Sequence, residues 1–361
     1  MMAPSSVTVL GGGNTAFSVA ANLQLAGIRV TLCELPAFED TLTPLQETRT
    51  ISLNGVARTG VVEISEVTSD FSQAIPKNDF LLVIVPAYAQ RAFGEAMVPY
   101  LREGQTIVLM PGNLGSLELS GILKRHQKHN ITLAETDTAP YVCRKIKPDT
   151  AHIWGVVTAL GVGVFPSRHG DTVRQVLNEW FPGVTLYPNV MACGLSAMNP
   201  IVHPAGVLLN AGRIEYSKGE FFFYGEGVTH SVCRLIYAID KERLEIGTAM
   251  GLTLDPVDQA FSAAGFGPEG DLWTTINESE MLTQLKAPGN LDSRWITEDV
   301  PYGLAVWCQI GEQLGLKCPL MRAVIDLLNA TRGEDLWKTG RTLENLGIAH
   351  FDSDQLIAHI N

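Results

Sequence analysis

The stretch that constrains this chain most is Val7-Thr8-Val9-Leu10 followed by Gly11-Gly12-Gly13-Asn14-Thr15-Ala16. The β-branched, apolar run reads as a buried strand, and Phe17 to Gly27 reads as a helix stopped by glycine. The pattern Gly-x-Gly-x-x-Ala therefore falls in a strand-to-helix turn. There Gly11 permits a tight turn, Gly13 lets the backbone approach a ligand, and Ala16 keeps the helix against the strand. From Asn14 onward, the helix N-terminus offers N–H groups and a positive dipole to phosphates. A second strand, Ile28 to Cys33, leads into Glu34, 23 positions after Gly11, where a carboxylate can hold ribose hydroxyls. Glycine-rich turns also occur as plain turn chemistry in α/β domains. Strand, helix and acid at these spacings together point to a dinucleotide. No arginine or lysine lies in Leu35-Pro36-Ala37-Phe38, so the acid should favour NAD over its 2′-phosphorylated form.

The first half continues as alternating strands and helices. Thr50 to Leu53 and Gly60 to Ile64 suggest a small hairpin, and Phe80 to Val85, Gln105 to Met110 and Ile131 to Glu135 suggest buried strands. Further strands are expected within Ala151 to Leu160 and Gly183 to Tyr187. The alternation implies a mostly parallel, doubly wound sheet. Pro86-Ala87 and Asn113 follow strands, on the carboxyl edge where ligands bind in open α/β sheets. They are candidates to line the nicotinamide and substrate, although Pro111-Gly112-Asn113 is equally a turn signal. From Gly194 onward the pattern is helical, with segments expected at Leu195–Tyr216, Thr229–Met250, Pro256–Ala264, Trp273–Leu282, Tyr302–Leu314, Pro319–Thr331 and Ser353–Ile360. The expected organisation is an α/β Rossmann-like domain over 1–190 and an all-α domain over 191–361.

Composition narrows the partners. A net charge of −12 argues against nucleic acid or an anionic membrane, and requires a local cation for any anionic substrate. Six scattered cysteines without metal spacing suggest reduced thiols in the cytoplasm. No run approaches 18 consecutive apolar residues, so no membrane span is expected. The histidines fall in no ligand spacing, and no metal is expected.

Two segments of the helical half could carry chemistry. His203 lies in Asn199-Pro200-Ile201-Val202-His203-Pro204 and could move a proton near neutral pH, or simply bond a carbonyl freed by proline. Arg294 and Asp299 lie in Asn290 to Pro301. An arginine fork matches a carboxylate, and an aspartate beside a histidine would stabilise the imidazolium and set its tautomer. The same segment could equally be a charged surface loop. Phe221-Phe222-Phe223-Tyr224 reads as a core or interface element, and His230 as the start of a helix.

These residues together resemble the opine dehydrogenases of the octopine/nopaline type. The resemblance runs through Gly11–Ala16, Val85–Ala87, Pro111–Asn113, Asn199–Pro204, Leu208–Arg213, Arg294–Val300 and Gly340–Gly347. It implies a Rossmann-like domain joined to a helical domain with the active site between them. It also implies reductive condensation of an amino acid with a 2-oxo acid such as pyruvate, with NAD as cofactor and a homodimer as a possible assembly. Carried onto this sequence, the catalytic histidine is His203, its partner Asp299 and the carboxylate-binding arginine Arg294, with Asn113 and Asn199 beside the substrate. Ketopantoate reductases, of similar architecture, use a lysine early in this helical domain. The position four before Asn199 is Leu195. Two other readings stay open: a 2-hydroxy-acid or 2-oxo-acid dehydrogenase without an amine partner, and a nucleotide-sensing protein without catalysis.

Overall fold

Val7 to Leu10 sit at the centre of a sheet in the computed structural model, which describes residues 3–360. The strands are β1 (Ser6–Leu10), β2 (Arg29–Cys33), β3 (Thr50–Gly55), β4 (Gly60–Glu63), β5 (Glu66–Thr68), β6 (Phe80–Val83), β7 (Thr106–Leu109), β8 (Thr132–Thr136), β9 (Tyr141–Lys147), β10 (Thr150–Val156), β11 (Gly161–Phe165) and β12 (Thr185–Leu186). Eight of them form one sheet in the order β12-β11-β8-β7-β6-β1-β2-β5. All its pairings are parallel except β8 with β11, which is antiparallel. The apolar runs of β6 and β7 are buried along their whole length, as strands covered on both faces require. The order reverses at β1, between β2 and β6, and the carboxyl ends there form the natural ligand crevice. The glycine turn, Glu34 and Pro86-Ala87 follow those three strands.

The remaining strands form a second sheet, β4-β3-β10-β9. The expected hairpin is its β3–β4 arm. Its outer strand β9 was not expected, and the single strand anticipated over 151–160 is instead β10 with a turn before β11. Gly161 and Gly163 make β11 a poor strand by composition. A Cβ on Gly161 would lie 2.1 Å from the Tyr187 ring, and one on Gly163 2.6 Å from Cys193, so the strand packs where only glycine fits.

The chain divides into two compact units, Met1–Cys193 and Gly194–Ile360. The second is helical. Its spine is the helix His230–Ala249, which buries Val232, Ile236, Ile239 and Ile246. Glu242 on this helix accepts the N–H groups of Leu320 and Met321 at 2.8 and 2.9 Å, placing a carboxylate at the start of the helix Pro319–Arg332. The single helix expected over 195–216 is two helices, Asn199–Leu209 and Ala211–Ser217, preceded by the short helix Val190–Leu195. The break at 196–198 puts Pro200 second in a new helix, where its missing N–H costs nothing. Val190–Leu209 has the length and composition of a membrane span, but 83% of its most apolar window is buried within the protein, as in a core helix.

Candidate active site

Gly11 begins the nucleotide turn with φ +124°, a backbone region that favours glycine, and a Cβ there would approach the Ile84 carbonyl oxygen to 2.5 Å. The first helix, Asn14–Leu25, starts without a side-chain cap and with no acidic residue in its first turn. Its N-terminal N–H groups and dipole therefore suit an anion. A Cβ on Gly13 would meet nothing within 4 Å, so the turn presents open backbone there. Ala16 is fully buried, as close helix–strand packing demands. Glu34 lies beside this turn and is buried. Its carboxylate accepts the Leu35 N–H at 2.7 Å and bonds the Gly12 backbone. Burial pushes Glu34 above the usual carboxylate range, while those two N–H groups and the nearby Lys145 pull it back. The Thr41 hydroxyl is buried without a partner within 2.0 Å of where a Gly12 Cβ would stand. Uncapped helix, open glycine, acid and unpartnered hydroxyl fit a dinucleotide.

Pro86 and Ala87 occupy the cap and first position of the helix Ala87–Met97. Asn113 is buried with φ +52°. The turn that carries it is anchored from below by Glu135, which accepts Leu114 N–H at 2.9 Å and Ser116 N–H at 3.0 Å. Turn chemistry thus accounts for part of the Pro-Gly-Asn signal, and Asn113 stands on the same sheet edge as the cofactor candidates.

In the helical unit, His203 and Asp299 meet although 96 positions separate them. His203 Nδ1 lies 2.7 Å from Asp299 Oδ2, and the two side chains are 8% and 9% exposed. His203 Nε2 lies 2.9 Å from the Tyr224 hydroxyl. Trp295 stacks on the imidazole with ring centroids 4.3 Å apart and planes 7° from parallel. Phe223 meets Trp295 edge-on at 4.6 Å. Burial pushes the Asp299 carboxyl up from its ordinary range, and the His203 bond and charge oppose it. Burial also raises the Tyr224 phenol, so it stays protonated at neutral pH. Arg294 is ion-paired through Nε with the buried Glu298, one helical turn along, while its side chain remains 57% exposed. Asn199 is exposed at the start of the His203 helix, one turn before His203 and on the same face.

Sequence reasoning missed Tyr224, Trp295 and Glu298 as members of this cluster. The expectation that Phe221 to Tyr224 is a core or interface element holds for the buried Phe221, Phe223 and Tyr224, and Tyr224 in addition bonds His203. Its wide turn, Phe223–Gly227, closes with Val228 N–H on the Phe223 carbonyl, and Asp299 likewise accepts from Leu304, five residues on. Such i→i+5 turns recur at functional sites and leave no 3.6-residue pattern to read. His230, as expected, starts a helix, stacked on Trp273. Among the described residues no group of acids, histidines and cysteines could hold a metal.

Residues 186–332, which span every member of the histidine cluster, match the family described as NAD/NADP octopine/nopaline dehydrogenase, alpha-helical domain. The helical unit is thus similar to the alpha-helical domain of the octopine/nopaline dehydrogenases. It is 29% identical to an opine dehydrogenase of Arthrobacter sp. (strain 1C), over 97% of both chains. It is 27% identical to the vitopine synthase of Allorhizobium ampelinum, over 99% of both. A solved structure of octopine dehydrogenase in complex with NADH and agmatine superposes with a TM-score of 0.79 at 19% identity, covering 98% of this chain and 97% of that one. This opine dehydrogenase relative is thus an NAD(P)-dependent oxidoreductase acting on CH–NH donors.

Proposed function

We propose that this enzyme uses NADH to condense the amine of an amino acid reductively with a 2-oxo acid of the pyruvate type, and runs the reverse reaction as well. The observation that carries this reading is His203 held between Asp299 and Tyr224 in a buried aromatic setting. Gly11, Gly13, Asn14 and Ala16 cradle the cofactor, Glu34 takes its ribose, and Pro86 and Ala87 line the nicotinamide. When bound, the cofactor supplies the hydride.

The chain's own residues do the rest. Arg294, oriented by Glu298, holds the oxo-acid carboxylate, with Asn113 and Asn199 as further substrate contacts. Such positioning lowers the barrier to hydride transfer. Asp299 accepts a hydrogen bond from Nδ1–H of His203 and supports the imidazolium. The Nε2 proton is then the one available to the reacting carbonyl or adduct, and in reverse Nε2 receives it. Tyr224 keeps Nε2 hydrogen-bonded meanwhile. Six free cysteines, five of them buried, support the cytoplasm as its compartment.

The test is a screen of amines with pyruvate and other 2-oxo acids, following NADH loss. Acceleration that needs both partners supports the condensation. Equal rates with the oxo acid alone would leave a hydroxy-acid dehydrogenase.

Two substitutions test single residues. Tyr224→Phe keeps the ring against Phe223 and Trp295 but removes the hydroxyl from Nε2. We expect kcat to fall roughly tenfold with unchanged NADH affinity, and the pH–rate profile to move. A variant with wild-type kcat and profile would remove Tyr224 from the proton path. Glu34→Ala should erase a preference for NADH over NADPH, changing the ratio of kcat/KM values on the order of tenfold, because the acid bonds ribose hydroxyls and repels a 2′-phosphate. Equal efficiency of the wild-type enzyme with both cofactors would refute that role.

A further inference from the structure

Three alternate residues of β9, Tyr141, Cys143 and Lys145, contact the first helix, running along it towards the glycine turn. The Tyr141 hydroxyl accepts from Asn22 at 2.7 Å, and Cys143 Sγ lies 3.8 Å from the Thr15 hydroxyl. Lys145 then reaches the helix mouth. Its backbone N–H donates to Asn14 Oδ1 at 2.9 Å, and its Nζ donates to the Gly12 carbonyl at 3.0 Å. The ammonium also sits 3.9 Å from the centroid of the Phe17 ring. Asn14 thus spends its side-chain oxygen on β9, and the cap position, Gly13, has no side chain to cap the helix.

A cation in this place is electrostatically costly. The N-terminus of a helix carries partial positive charge, which disfavours an ammonium and favours an anion. Burial lowers the pKa of Lys145, and only the nearby Glu34 opposes that shift. In a chain of net charge −12, an ammonium held against the positive end of the glycine-turn helix is an arrangement that an incoming anion stabilises twice, through the dipole and through the lysine.

We infer that Lys145 is a cofactor-binding residue: its ammonium leaves the Gly12 carbonyl for an oxygen of the dinucleotide's diphosphate, so that the second sheet supplies the charge the glycine turn lacks. The inference rests on the dinucleotide reading of that turn and adds a residue from outside the strand–turn–helix unit.

Direct binding tests it without turnover. Dissociation constants are measured for NADH, ADP, adenosine and NADPH with the wild-type enzyme, Lys145→Met and Lys145→Arg. The expected result for Lys145→Met is about 10- to 100-fold weaker binding of NADH and ADP, adenosine unchanged, and a shallower dependence of ADP affinity on salt. Lys145→Arg restores most of the affinity and guards against a methionine variant that folds badly, which its melting temperature reports. Equal loss for adenosine and ADP would make Lys145 structural, and unchanged ADP and NADH binding would remove it from the site. A loss confined to NADPH would overturn the assignment in favour of the 2′-phosphate. A wild-type enzyme that bound none of these nucleotides would instead refute the dinucleotide reading itself.

Discussion

His203→Ala is expected to fold, to bind NADH as the wild-type enzyme does, and to lose about 10²- to 10⁴-fold in kcat, the range typical of removing a general acid or base. The buried bond to Asp299 makes the pair one unit. Asp299→Asn keeps the shape and removes the anion that holds His203 Nδ1, so kcat should fall while NADH affinity stays unchanged. Its acid limb should change too. Burial raises the Asp299 carboxyl, so protonating it removes the anion at a pH above that of an ordinary aspartate; the asparagine variant has no such limb. The double variant should be no slower than His203→Ala, because residues acting together are not additive. If the two losses multiply, Asp299 acts separately from the histidine.

Arg294→Ala should raise the KM for the oxo acid roughly 10- to 100-fold while the KM for NADH stays within about twofold, as for a lost charge-assisted contact. Arg294→Lys should recover only part, since an ammonium lacks the planar fork that meets both Glu298 and a substrate carboxylate. An unchanged oxo-acid KM in a folded variant would take Arg294 out of the substrate site. The comparison of the two KM values matters because uniform damage would raise both.

How much of this could be read in advance varied with the range of the interaction. The glycine turn, its flanking strand and helix, and Glu34 are local, and their spacing alone carried them. The buried strands β6 and β7 announced themselves as apolar runs. His203, Asp299 and Arg294 stood out as candidates by residue type, but only the resemblance joined them, because nothing in either segment states that residues 96 apart will touch. Tyr224 was hidden in an aromatic run whose bland reading, core packing, holds for its neighbour Phe223. The strand β9 was missed because Arg144, Lys145 and Lys147 make it look like a solvated loop. Its alternate residues find partners only when the first helix is already beside it. β11 was missed for the opposite reason: its glycines look like breakers until the side chains of Tyr187 and Cys193 fill the space beside them.

The alternation of β9 makes insertions and deletions there far more consequential than substitutions. Tyr141, Cys143 and Lys145 touch the helix only as long as the strand keeps its pairing with β10, where Lys145 stands opposite Ala151. Moving that pairing by one residue turns the ammonium to the other side of the sheet and presents Arg144 or Ile146 in its place. Gaining or losing one residue between Tyr141 and Lys145 would therefore change which charge meets the glycine turn, with every residue of the main sheet untouched.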